Sequence, residues 1–195
     1  MHSVESSTTE SLPDGSEPAP RGSRIVIDWI VVIAIALLVA FVVRSFLLAH
    51  FVVDGTSMAS TLQSGDRVFV NKMSYRLHEP NRGDVVVLHQ PTSGVERDLI
   101  KRVIGLPGEE IEVRSCNVLI DGRLLTEPYL TTSADQRIGC GGDTAPLLVP
   151  EGHVFVMGDN RGGSQDSRAL GPIPTDELVG RAFVVFWPST SWQWL

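Results

Sequence analysis

Lysine is almost missing from this sequence: among 195 residues the only two are Lys72 and Lys101, the other basic residues being arginine. Cysteine is as scarce, at Cys116 and Cys140 alone, with no CxxC or Cys/His spacing and no HExxH, so no pattern here points to a bound metal or another cofactor. A GxSxG nucleophile elbow is also absent. The formal net charge is -7 and the only adjacent basic pair is Lys101-Arg102, which argues against nucleic acid, since phosphate binding needs clustered cations. There is no internal repeat.

A long apolar run is present instead. Residues 1–24 are rich in Ser, Thr, Glu and Pro without apolar periodicity, and read as a disordered tail. Residues 25–49, IVIDWIVVIAIALLVAFVVRSFLLA, are apolar apart from Asp28, Arg44 and Ser45 and exceed the ~20 residues that a bilayer crossing needs. A cleaved export signal, a buried core helix and an amphipathic surface helix compete with this reading. The stretch LLAHFVV offers no convincing cleavage site, and the length favours a retained transmembrane helix over 25–49. Arg21 and Arg24 before the span favour a cytoplasmic N-terminus, while Arg44 and Arg67 pull the other way. Residues 50–195 would then form one extracytoplasmic domain.

That domain reads as mostly β. DRVFVNKMSY, GDVVVLHQP, LIKRVIGLPGE, EEIEVRS, NVLIDGRLL, HVFVMGD and RAFVVFWP are β-branched or aromatic runs bounded by turn residues. In VLIDGRLL, Asp121-Gly122 suits a tight hairpin with positive φ at both turn positions. Residues 126–150 carry few periodic features and read as an exposed excursion containing Cys140. Cys116 and Cys140 pair in a disulfide in one reading, which suits an exported domain, and remain free thiols in the other. At the C-terminal side Trp187, Trp192 and Trp194 are close together, either touching a lipid headgroup layer or divided between core and fraying end.

The segment VDGTSMASTLQSGD places Ser57 just beyond the apolar run. A serine nucleophile needs a group to take its proton. His2, His50, His78, His89 and His153 are scattered and show no catalytic spacing, although a Ser/His/Asp triad needs none. A lysine serves only if burial lowers its pKa from about 10.4. Lys72 precedes the polar stretch MSYRLHEPNRG and its amine can reach water, whereas Lys101 sits inside LIKRVIG, the drier setting. Taken alone, Lys101 also fits an ordinary edge-strand lysine. In GDNRGGSQDSR, the residues Asp159, Arg161, Asp166 and Arg168 could pair to pin a loop and leave a serine hydroxyl to orient the amine; a merely solvated turn is the alternative.

In this order after an apolar anchor, GTSMASTL, KRVIGLPGE and GDNRGGSQDSR resemble the bacterial type I signal peptidases, or leader peptidases, in their single-anchor form. The resemblance implies an antiparallel, coiled β-sheet catalytic domain behind one N-terminal transmembrane helix, held at the cell membrane with lipid around it. It implies a serine endopeptidase that removes signal peptides from exported preproteins after small, A-x-A-like residues, without a cofactor. Ser57 would be the nucleophile, Lys101 the general base and Ser164 the hydroxyl bonded to the lysine. Asp159, Arg161, Asp166 and Arg168 would hold the site together, and Met58 and its neighbours would line the substrate groove. Where the family usually has proline, this chain has Ser60, and where some members place a serine oxyanion donor it has Gly55. The oxyanion would then rest on backbone N–H groups such as that of Ser57, with Thr56 beside it. A catalytically silent, membrane-tethered peptide-binding β domain is the alternative function, and oligomeric state is left open.

Overall fold

The computed structural model describes residues 21–43, 47–90, 97–130 and 139–195. The chain divides into two compact units between residues 41 and 42. The first holds all but the last residue of helix α1, Arg21–Val42, whose stretch Ile25–Val42 is long and apolar enough to cross a membrane. The expected tail falls mostly on residues 1–20, outside the described residues.

The second unit is mostly antiparallel β, as its pattern of short β-branched runs requires. Strands β1 (Leu48–Val52), β2 (Arg67–Asn71), β3 (Val85–Gln90), β4 (Arg97–Gly105), β9 (His153–Met157), β10 (Ile173–Pro174) and β11 (Leu178–Trp187) form one sheet in the order β1-β2-β11-β3-β4-β9-β10. A short strand β12 (Gln193–Trp194) adds to β11. Strands β5 (Glu110–Arg114), β6 (Asn117–Ile120), β7 (Arg123–Leu124) and β8 (Thr144–Leu148) make a second sheet, ordered β7-β6-β5-β8. Helices in this unit are single turns, including α2 (Ser74–Leu77) and α3 (Ser167–Leu170).

The apolar helix ends at Val42, short of the expected Ala49. Leu48 and Ala49 instead open β1, opposite Asn71 and Val70 of β2. An apolar run reads alike as membrane helix or buried strand, and only the distant partner RVFVN decides between them. Where described, residues 126–150 are mostly exposed or half-buried, as expected, but the segment is not irregular throughout, since Thr144–Leu148 forms β8. Leu147 and Leu148 pair with Ile111 and Glu110, and Tyr129 packs against the core cluster of Ile104, Ile111 and Phe155. Residues 131–138 of that segment lie outside the described residues. The disulfide Cys116–Cys140 ties it to the start of β6. The hairpin matches its sequence: Ile120 pairs with Arg123, with φ of 50° at Asp121 and 73° at Gly122.

Strand β4 carries Lys101 and Arg102. It is flanked by β3 and β9, and Lys101 through Gly105 are all buried, so both faces of this stretch are covered. One face meets the cluster of Val86, Val103 and Val156, and Ile104 enters the cluster with Ile111 and Met157.

Candidate active site

Ser57 lies in the turn that follows β1 and precedes β2, and the packing under that turn comes from its own apolar residues. Met58 and Leu62 enter the core with Val53, Val68, Val70 and Val85. Met58 is 1% exposed and its sulfur accepts a bond from the Asp159 N–H, so it anchors the turn from below and does not line the groove as expected. The far side is fixed by the loop after β9: the Asn160 N–H donates to the Ser57 carbonyl at 2.9 Å, and Asn160 Nδ2 donates to the Thr56 carbonyl at 3.0 Å.

Lys101 reaches this turn from β4. Its Nζ donates to Ser57 Oγ at 2.8 Å and to the Ile100 carbonyl at 2.9 Å. The residue is 2% exposed, and burial pushes the amine down to about 8, against the opposing pull of the Asp166 and Asp159 carboxylates. Lys72, in contrast, follows β2 and is only half-buried. Beside the pair opens a pocket of about 80 Å³, lined by Phe51, Val53, Val68, Val87 and Ile100 with Asp54 and Asp98. Ser57 and Lys101 belong to its wall. Gly55, at φ +99°, and exposed Thr56 lead into the turn.

The polar loop after β9 makes ion pairs, though with partners that differ from a closed set within the motif. Asp166 does pair with Arg168, through Nε and Nη2 at 2.8 Å each. Burial would raise the Asp166 carboxyl, but the guanidinium and the Gly158 N–H hold it below the usual carboxylate range. Asp159 is instead gripped by Arg102, at 2.9 and 2.7 Å, and accepts a further bond from Thr61 Oγ1. Arg161 pairs with Glu127, whose other contact is the Tyr129 hydroxyl, and Arg102 stacks on the Tyr129 ring at 4.0 Å. Arg168 also donates to the carbonyls of Arg161 and Cys140, joining the loop to the disulfide segment.

Gly158 sits where the end of β9 meets the Ser57 turn. A Cβ there would overlap the Ser57 carbonyl oxygen and Ser164 Oγ, so the close approach demands glycine. Among the described residues Ser164 Oγ, buried beside it, has no hydrogen-bond partner, and the expected bond to Lys101 is not formed. Reasoning from sequence missed Arg102, Thr61, Glu127, Tyr129 and Asn160. Arg102 alone carried a signal, as an arginine inside an apolar strand that must find a counter-charge.

A family profile described as signal peptidase, peptidase S26, matches residues 26–187. The chain belongs to the signal peptidase family. The signal peptidase I of Bacillus amyloliquefaciens is 39% identical over 93% of this chain and 95% of that relative. Signal peptidase I T of Bacillus subtilis is 38% identical over the same shares. Among solved structures, a signal peptidase I from Enterococcus faecalis is 34% identical, with a TM-score of 0.44 over 53% of this chain and 97% of the other. The matched span of the signal peptidase profile contains Ser57, Lys101 and the whole loop that carries Ser164.

Proposed function

We propose that this signal peptidase family member is a membrane-anchored serine endopeptidase that cleaves signal peptides from preproteins with a Ser57/Lys101 dyad. The contact carrying this reading is the 2.8 Å approach of a buried amine, with pKa lowered to about 8, to the Ser57 hydroxyl. Among the described residues a histidine base has no such support, since His78, His89 and His153 bond elsewhere, to the Glu79 carbonyl, Asp98 and the Glu151 carbonyl.

In the neutral state Lys101 Nζ has a lone pair and accepts the Ser57 proton as Oγ bonds to the scissile carbonyl carbon. The backbone N–H of Ser57, with Thr56 beside it, faces the oxyanion. The ammonium then protonates the leaving amine, leaving an ester on Ser57. A water gives its proton to Lys101 and attacks that ester, and the ammonium returns the proton to Ser57 as the acid product leaves. Ser164 Oγ, with unused bonding capacity next to the turn, takes a hydrogen bond from the lysine as it becomes charged.

A pocket of about 80 Å³ with apolar walls suits a small side chain, which supports cleavage after A-x-A-like residues. Helix α1 supplies the anchor, with the N-terminal side cytoplasmic and the β unit extracytoplasmic, where exported preproteins emerge. The test is cleavage of a preprotein by the full chain in detergent. Wild type should release the mature product and Ser57→Ala should not; binding without cleavage by wild type would leave a peptide-binding domain in its place.

A further inference from the structure

We propose that Gln193 is a positioning residue for the nucleophile: its amide holds the end of the turn that carries Ser57. The inference rests on Ser57 being the nucleophile. Gln193 lies outside the motifs read from the sequence and beyond residue 187, where the family match stops.

The structure brings it to the site by a reversal of the chain. After β11 a single 3-10 turn at Ser189–Ser191 sends the backbone back, and β12 pairs Gln193 with Val185 and Trp194 with Val184. From that strand Gln193 Nε2 donates to the Thr61 carbonyl at 2.7 Å. Leu195 completes the brace: its N–H donates to the Phe183 carbonyl, and its side chain packs on the cluster that holds Met58 and Leu62.

Thr61 is thereby fixed at every polar atom. Its N–H donates to the Met58 carbonyl at 2.8 Å, and its hydroxyl donates to Asp159 and accepts from Arg102. Gln193 supplies the remaining bond, to its carbonyl. The turn is neither helix nor strand; its own bonds, from the Ala59 N–H to Thr56 and the Leu62 N–H to Met58, and those from Asn160 hold the Ser57 end, and the Gln193 bond fixes the Thr61 end on which the direction of Ser57 Oγ also depends. A nucleophile must be held to about 0.5 Å of its productive geometry, and a misplacement of about 1 Å can cost about a hundredfold in rate. The pocket walls at Phe51, Val53 and Ile100 stand on β1, its end and β4, and Gln193 is not among the residues that line the pocket. Loss of the Gln193 bond should therefore slow the chemical step and spare substrate binding.

The experiment compares Gln193→Ala, Gln193→Glu and Gln193→Lys in the full chain on one peptide substrate, with Ser57→Ala alongside. Alanine removes the donor, glutamate keeps the length but turns an acceptor toward the carbonyl, and lysine keeps a donor of similar reach. Alanine and glutamate should lower kcat roughly tenfold with KM within about twofold, and lysine should recover most of kcat. Unchanged kcat in Gln193→Ala, or a loss that lysine fails to restore and that follows a falling Tm, would overturn the positioning role. If Gln193→Ala does not fold, the glutamate and lysine variants decide, and equal kcat in those two overturns it. Turnover by Ser57→Ala would instead remove the nucleophile assignment and the inference with it, so the two failures are distinguishable.

Discussion

Arg102 holds both carboxylate oxygens of Asp159, and the residue before it on β4 is the lysine that meets Ser57. Adjacent residues of a strand face opposite ways, so one strand delivers two cations to two sites. Their chemistry differs where it matters. Arginine keeps its charge in any protein environment and needs a buried partner; lysine can give up its proton when burial makes the charge costly.

Activity should rise with pH through about 8. As the proposed base, Lys101 must be neutral to take the Ser57 proton, and burial lowers its amine to about 8, so it is protonated below that value and free above it. A pH-rate profile on a peptide substrate measures this. Replacing His78, His89 or His153 singly should leave the limb in place; a limb near ~6.5 that vanishes with one of them would point to a histidine base.

Lys101→Met should abolish turnover while the chain remains folded, since methionine fills a similar volume without a buried amine. Lys72→Met should keep most activity. Single-turnover assays and circular dichroism on both variants separate loss of chemistry from loss of fold.

Asp159→Asn should be strongly destabilising. Arg102 and Asp159 side chains are 7% and 0% exposed, and breaking such a pair leaves an uncompensated cation, typically costing about 3–5 kcal/mol. Urea unfolding of the variant in detergent should show it, and a change below ~1 kcal/mol would mean that Tyr129 and the Gly83 carbonyl suffice to hold the guanidinium.

Cys116→Ser with Cys140→Ser should lower stability by roughly 3 kcal/mol, the effect of opening a loop of this size, here 24 residues in separation. Mass spectrometry of non-reduced peptides should find the two cysteines linked.

Trp192 and Trp194 are 57% and 68% exposed and meet edge to face, with Trp187 exposed as well. If this face rests in the headgroup layer, brominated lipids in proteoliposomes should quench their fluorescence. Wild type should then lose more emission than the Trp192→Phe, Trp194→Phe double variant; equal quenching would place these rings in water.

What could be read from sequence was local or forced. The Asp121-Gly122 hairpin depends on neighbours in the chain, and its φ values follow from residue type. The choice of Lys101 over Lys72 came from flanking residues, which the double-sided burial of β4 now explains. The partners of the charged loop were not legible. Asp159 meets Arg102 across 57 positions and Arg161 meets Glu127 across 34, and in a motif rich in both signs many pairings satisfy the composition equally. The end of the apolar helix was hidden for a related reason, because hydropathy alone does not reveal that Leu48 and Ala49 have a strand to pair with.

The neighbouring cations on β4 make the strand intolerant of slippage. Inserting or deleting a single residue upstream of Lys101 would turn each side chain to the opposite face. A deletion would set the guanidinium, with no neutral form to offer, in the place of the amine at Ser57, whereas an insertion would set the amine, able to discharge itself, in the place of the guanidinium at Asp159. The protein would forfeit its base and its clamp in one event, so length changes in this hairpin should be absorbed in the connection between β3 and β4, well away from the strand itself.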